Sequence, residues 1–386
     1  MTRGTRSPRY GAPAGRAATG HHPASTATDS SGSGRGGSRP REDSEDRGRG
    51  TDDATTPMAS RRSRRLRRMA AALASTVVAL TALAALLELA TSRSDTATFP
   101  APGHLWTVGD AQMHLRCTGF GHPTVLLEAG LGESSLTWAD VHRSLAEDTR
   151  VCSYDRAGHG WSEPRKRPWT SQQAAEELRA LLATAQEDGP YLVVAHSIGS
   201  FVARDLAATS PHEVEGLVLV DPTNDTTVRH IGVPRTALVE RRLLGGLTRL
   251  GLVRRAGRWL VPTMVDATPP NDLMRQLPAT YHATSIAASI QELKGSVTSA
   301  ERLREVEPPS WGRTPVVVIS TRATPSQDRR YHGDLASRSE DGRHVLIEAA
   351  GHYAHYEAPE RVTAIIRELV LDAETRQRPL AAAASH

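Results

Sequence analysis

The sequence predicts an α/β fold carried behind a membrane-spanning helix. Three features predict it. Short apolar runs alternate with helical stretches from about residue 104 onward, a helix-rich block interrupts that alternation late in the chain, and a long apolar run follows an arginine block near residue 68. With 386 residues there is room for one large domain with an insertion. A hydrophobic content of 38% with only two cysteines excludes a small disulfide scaffold. A mean hydropathy of −0.40 excludes a wholly integral membrane protein.

Residues 1–60 are Gly, Ser, Thr, Arg and Pro with almost no large apolar side chains, so they cannot offset the entropy of ordering and are read as a disordered basic leader. Met58 is an alternative start. Residues 61–92 form the expected signal-anchor: six arginines between Arg61 and Arg68 abut the run Met69–Ala90. At 1.5 Å per residue that run spans about 33 Å, the thickness of a bilayer core. The arginine asymmetry places the N-terminus in the cytoplasm and the remainder outside the cell membrane. The alternative is a cleaved signal peptide, cut near Ala82-Leu83-Ala84, which would leave a secreted protein. A linker, 93–103, follows.

Eight strands are expected in the domain 104–375: 105–108, 112–117, 124–127, 150–154, 191–194, 216–220, 315–319 and 343–347. Helices are expected at 136–147, 171–187, 198–209 and 359–371. The block 224–309 is too long for one crossover and reads as an inserted helical cap. Residues 376–386 read as a flexible tail.

The sharpest local signal is Tyr191-Leu-Val-Val-Ala-His-Ser-Ile-Gly199, an apolar strand running straight into a helix. A turn that abrupt strains its central residue and needs small neighbours two positions away; Ala195 and Gly199 supply them. Ser197 would then stand at the carboxyl edge of the sheet, with the amide of Ile198 and the positive end of the following helix beside it. A serine hydroxyl needs a base, and His352 follows Gly351 in the loop after the last strand. His355, three residues on, is expected to pack or hydrogen-bond. The carboxylate that orients the imidazole is expected to be Asp221, at the end of its strand, with Asp328 in the next strand's loop as the alternative.

Serine, acid and histidine in that chain order resemble the α/β-hydrolase fold superfamily over roughly residues 100–375. Three more segments carry the resemblance: Leu127-Glu-Ala-Gly-Leu-Gly132, Tyr154-Asp-Arg-Ala-Gly-His-Gly-Trp-Ser162, and Gly351-His352 with Pro359 downstream. It implies an eight-stranded, mostly parallel sheet with helices on both faces. It also implies that the amide of Leu131 completes an oxyanion hole with Ile198, although Ala129-Gly130 stands where the family has His-Gly. In the family's strand order the second and fourth strands are neighbours, so Cys117 and Cys152 are expected to meet in a disulfide, which suits an exported domain. Serine at the elbow argues against the family's epoxide hydrolases and dehalogenases, which carry aspartate there. Asp155-Arg156 is expected to tie its loop together.

The expected activity is hydrolysis of carboxylic esters or related acyl compounds through an acyl-enzyme. The alternatives are a non-catalytic binding module of the same fold, or carbon–carbon hydrolase or perhydrolase chemistry. The expected partners are a small apolar acyl substrate, and the membrane through residues 69–90. Nucleic acid is excluded despite a pI near 9.3, because residues 1–68 hold 15 Arg against 7 acidic residues and leave the domain mildly acidic. No metal-ligand spacing or phosphate-binding glycine loop is present, so neither metal nor cofactor is expected. The cap arginines Arg241, Arg242, Arg254, Arg255 and Arg258 are read as a solvated face.

Overall fold

The computed structural model describes residues 58–92, 94–265, 267 and 269–384; the expected leader falls outside them up to residue 57. Helix α1 (Met58–Ser92) takes in both the arginine block and the apolar run. From Arg61 to Ser92 it is long and apolar enough to cross a membrane, and its apolar side chains are largely exposed. A short helix, α2 (Asp95–Thr98), leads into the domain.

The domain is an eight-stranded sheet ordered β1-β2-β4-β3-β5-β6-β7-β8. The strands are β1 (His104–Val108), β2 (Ala111–Thr118), β3 (Thr124–Glu128), β4 (Val151–Tyr154), β5 (Tyr191–His196), β6 (Val214–Val220), β7 (Val316–Thr321) and β8 (Gly342–Ile347). The β1–β2 and β2–β4 pairs are antiparallel and the remaining pairs parallel. Strands β3, β5 and β7 are buried along their whole length, as continuous Val, Leu and Ile runs covered on both faces require. The outer strands β1 and β8 are half exposed.

Alternating residues send each strand into two cores. On one side Val193, Ala195, Leu217 and Leu219 pack under α4 (Ser171–Ala185) and α5 (Gly199–Thr209). On the other, Leu192, Val194, Val218 and Val220 meet α3 (Ala139–Leu145) and the long C-terminal helix. The helix expected at 136–147 is split, with a 3-10 turn at Ser135–Trp138 ahead of α3.

Between β6 and β7 lie α6 (Asp225–Ile231), α7 (Arg235–Arg249), α8 (Leu252–Val265), α9 (Asn271–Arg275), α10 (Leu277–Thr280) and α11 (Ala283–Val306). Helix α11 packs against α6 and α7 on one side and against α5 on the other. After β7 come α12 (Ser326–Ala336), α13 (Ala354–Glu357) and α14 (Pro359–Ala384). The last is a correction to the sequence reading. The helix does not stop at 371 or give way to a flexible tail at 376 but runs to Ala384 across Pro379, with good helix formers on both sides offsetting the unfavourable proline.

Antiparallel pairing of β2 with β4 sets Cys117 directly opposite Cys152. Their Cα atoms are 4.1 Å apart and the sulfurs are bonded.

Candidate active site

Strand β5 ends at His196 and α5 begins at Gly199, leaving Ser197 on the turn with φ of +50°. Such a left-handed conformation costs a non-glycine residue about 1–3 kcal/mol and persists only where the surroundings enforce it. Here the Ser197 amide donates to Val220 O (3.0 Å) and its carbonyl accepts from Thr223 N (3.2 Å). Gly199 has no room for a side chain, since a Cβ there would lie 2.4 Å from Ala129 O. The Ala195 that replaces the more usual glycine is accommodated, fully buried.

The three groups far apart in sequence converge at the carboxyl edge of the sheet. His352 Nε2 is 3.1 Å from Ser197 Oγ, and His352 Nδ1 is 2.6 Å from Asp221 Oδ2. Asp221 sits at the end of β6 with φ of +44°, a second strained residue in the same site. Its other oxygen accepts from Thr324 Oγ1 (2.5 Å). Burial opposes ionisation of Asp221, but its hydrogen bonds with His352 and Thr324 and the nearby imidazole charges outweigh that and hold the carboxyl below its ordinary range. The alternative acid, Asp328, lies on α12, seven residues past the end of β7, where its Oδ1 accepts from Asn224 Nδ2 (2.7 Å).

His352 is held from behind by groups the sequence did not single out. The Glu357 carboxylate accepts from the amides on either side of it, Gly351 N (2.9 Å) and Tyr353 N (3.2 Å). The carbonyl of His352 accepts from His196 Nε2 (3.0 Å). On the far side of that ring, His196 Nδ1 faces Glu133 at 3.0 Å. Both neighbours of His196 are acceptors, so satisfying both takes two ring protons. Burial alone would depress the basicity of His196, yet the Glu133 charge against it raises it above the usual histidine value. Burial likewise opposes the Glu133 charge, and His196 more than compensates, holding the carboxyl well below its ordinary range. Glu133 also accepts from Gly130 N (2.7 Å), so one buried ion pair joins the Ser197 turn, the His352 loop and the segment after β3.

That segment, residues 129–133, carries the expected second oxyanion donor. Arg156 is buried beneath it and donates to Ala129 O (2.5 Å) and Gly130 O (2.6 Å). Its charge is matched by Glu128 and by Glu292 of α11, whose second oxygen accepts from Gly132 N (3.0 Å). The amides of Gly130 and Gly132 are thus engaged. Among the described residues the amides of Leu131 and Ile198 have no protein acceptor. Asp155 accepts from Ser135 N (2.7 Å) and Trp161 N (3.1 Å) and pairs with His114 of β2, tying its loop to the sheet.

His355 is fully buried between the rings of Trp138 and His196, and burial together with the adjacent His196 charge keeps it neutral. Among the described residues, two groups have a metal-ligand donor set: Cys117, Cys152 and Glu187, whose sulfurs are used up in the disulfide, and Glu133, His196 and His355. In the second, the His196–Glu133 hydrogen bond engages two of the three groups, and Glu133 also accepts from Gly130 N.

Beside Leu131 and Tyr353 a cavity of about 520 Å³ runs under α7 and α8, lined by Leu243, Leu244, Leu247, Leu252, Val253 and Val261 among others. Arg254 corrects the reading of the cap arginines as a solvated face: it is paired to Glu88 (3.0 Å) and Asp95 (2.6 Å) rather than free in water.

A mostly parallel sheet in this order, a helical insertion after β6 and a serine on a strand–helix elbow define the class: an α/β hydrolase fold. The chain belongs to the alpha/beta hydrolase family, which it matches over residues 119–365. It is 28% identical over 263 residues to the lipase LipV of Mycobacterium tuberculosis, covering 66% of this chain and 96% of the lipase. To an uncharacterized protein of Schizosaccharomyces pombe it is 34% identical over 197 residues, covering 43% of this chain. It spans only 36% of the length of that relative and 39% of one from Bacillus subtilis. Among solved structures it resembles an esterase from Thermogutta terrifontis (TM-score 0.53, 21% identity, 70% of this chain and 98% of the esterase). It also resembles an epoxide hydrolase from Vigna radiata (TM-score 0.57, 18% identity, 70% and 97%). At such identities these two likenesses speak for the fold.

Proposed function

We propose that this chain is a membrane-anchored serine hydrolase that cleaves carboxylic esters of apolar acids. The observation that carries the reading is the continuous path from Ser197 Oγ through the His352 ring to Asp221, 3.1 Å and 2.6 Å. Ser197 attacks the substrate carbonyl while His352 Nε2 takes its proton; Asp221 fixes the tautomer and stabilises the imidazolium that forms. The developing oxyanion meets the amides of Leu131 and Ile198, each donor of this kind contributing about 2.7–4 kcal/mol in the transition state. His352 then protonates the leaving alcohol, and a water activated by the same ring releases the acid. The leucine-lined cavity beside Leu131 supports an apolar acyl group. The lipase and esterase among the relatives and neighbours agree with ester chemistry.

The same reading anchors the chain by residues 69–90 with the N-terminus in the cytoplasm, and the disulfide supports an extracytoplasmic domain. The test is labelling of the full chain with a fluorophosphonate probe. Covalent modification abolished by Ser197→Ala is the expected result. Equal labelling of both proteins, or none of the unmodified chain, overturns the assignment.

A further inference from the structure

The cap carries a surface that an aqueous face would not keep. On α7, Val239, Leu243 and Leu247 recur at four-residue spacing and are 51%, 66% and 42% exposed. On α8, Leu252 and Trp259 lie seven residues apart on one face and are 44% and 61% exposed. Exposed arginines, Arg242, Arg249, Arg255 and Arg258, stand among them, and the Arg258 guanidinium lies 4.1 Å from the centre of the Trp259 ring. An apolar stripe edged by arginines and an indole is the composition of a helix that rests in the boundary between lipid headgroups and acyl chains.

The end of α1 shows which boundary it is. Most of α1 is exposed, but residues 84, 85, 88 and 92 form a half-buried stripe along its last turns. There Glu88 and Asp95 grip Arg254 of α8, and Ala85, Glu88, Leu89 and Ser92 share a cavity wall with Thr248 and Arg249 at the end of α7. Glu88 lies two residues before the end of the apolar run, about 3 Å along the helix axis. Helix α8 is therefore tied to the end of α1, with the end of α7 beside it, at the height where α1 leaves the hydrocarbon in the anchoring reading. Leu243, Leu247 and Leu252 are at the same time exposed and part of the wall of the 520 Å³ cavity that reaches Leu131 and Tyr353.

We propose that α7 and α8 dock on the outer face of the bilayer that α1 spans, in contact with anionic headgroups, so that the cavity beneath them opens toward lipid and takes its acyl chain from the membrane. This rests on the anchoring reading above and adds to it the orientation of the domain and the source of the substrate. A free fatty ester from water would need no apolar rim facing outward, and a helix merely tethering the domain would need no ion pairs fixing the cap to its end.

The test uses the full chain carrying Leu243→Cys, and separately Leu247→Cys, each labelled with an environment-sensitive nitrobenzoxadiazole thiol probe; the native cysteines are bonded to each other and do not react. Glu368→Cys, at a solvent-exposed position of α14, is the reference position. The proteins are reconstituted in vesicles of phosphatidylcholine and phosphatidylglycerol containing nitroxide-labelled lipid. Docking predicts blue-shifted emission at 243 and 247, with quenching by the nitroxide lipid several-fold stronger than at 368. A chain that floats with the vesicles while all three probes stay in water overturns docking and leaves the anchor standing. A blue shift without lipid quenching overturns it in favour of contact with a second protein chain. A chain that does not float overturns the anchoring reading, and docking with it.

Discussion

The carboxyl edge of the sheet and the cap over it solve opposite problems with opposite packing. At the edge charge and hydrogen bonds hold the backbone: two residues with positive φ, Ser197 and Asp221, are locked by hydrogen bonds, and buried Glu133, Arg156 and Glu292 fix the loops around them. The cap helices α7 and α8 instead leave Leu243, Leu247 and Leu252 partly in the open and enclose an apolar cavity. Reaction geometry tolerates little displacement, so it is built on strands and charge networks. In the proposed function, substrate capture needs area and compliance and falls to helices with few buried contacts.

The difference can be broken from either side. The largest effect belongs to the edge: Ser197→Ala or His352→Ala should lower kcat on p-nitrophenyl esters by on the order of 10⁶, and Asp221→Asn by about 10⁴ with an unchanged circular dichroism spectrum. A loss below tenfold for Asp221→Asn would move the orienting role elsewhere. Next comes the buried network joining cap to core. Glu292→Ala strands part of the Arg156 charge and should destabilise the fold by about 3–5 kcal/mol, whereas Val239→Ser on the exposed cap face should stay within about 0.5 kcal/mol in detergent solution. Equal effects in urea unfolding would erase the contrast drawn here. Replacing both Cys117 and Cys152 by alanine opens a loop of sequence separation 35 and should cost about 3–4 kcal/mol, read in the same way.

The smallest effect is that of acid. Burial opposes the charge of Glu292, but Arg156 and His159 hold its carboxyl well below the ordinary value of 4.5; burial likewise opposes that of Asp221, which the His352 hydrogen bond holds below 3.8. A depressed folded-state value means stabilisation that is complete above the unfolded value and is lost as pH falls through the lower folded one. Hydrogen exchange in α11, corrected for the intrinsic pH dependence of amide exchange, should therefore be unchanged from pH 7 to 5 and accelerate only below about pH 4.5. Acceleration already at pH 6 would point to histidines, not these carboxylates, as the acid-sensitive groups.

How far the site could be read from sequence follows the same division. Ser197, Asp221 and His352 were legible because each sits at or near a strand end, and strands announce themselves as continuous apolar runs. Asp221 could be preferred over Asp328 for that reason alone. Their supports were not legible. Glu292 reaches Arg156 across 136 residues from the middle of a cap helix, where one glutamate among solvated charges looks like any other. Glu133 and Glu357 lie beside recognised motifs, three residues past Gly130 and five past His352, and that proximity was the only signal available. Arg254 looked solvated because its partners lie far away in sequence, Glu88 near the end of α1 and Asp95 in α2, which local pattern cannot connect to the cap. The helical extension beyond 371 was lost to the polar run Glu374–Arg378, which breaks the apolar period before the alanines resume.

Acyl-enzyme chemistry at this site requires Ser197 itself to carry the covalent intermediate. The most direct measurement is mass spectrometry of the full chain quenched in acid within its first turnovers of a p-nitrophenyl ester. The expected result is one acyl group per chain on the peptide containing Ser197, absent from Ser197→Ala. Turnover at an undiminished rate in Ser197→Ala, or an adduct mapped to another residue, would contradict it.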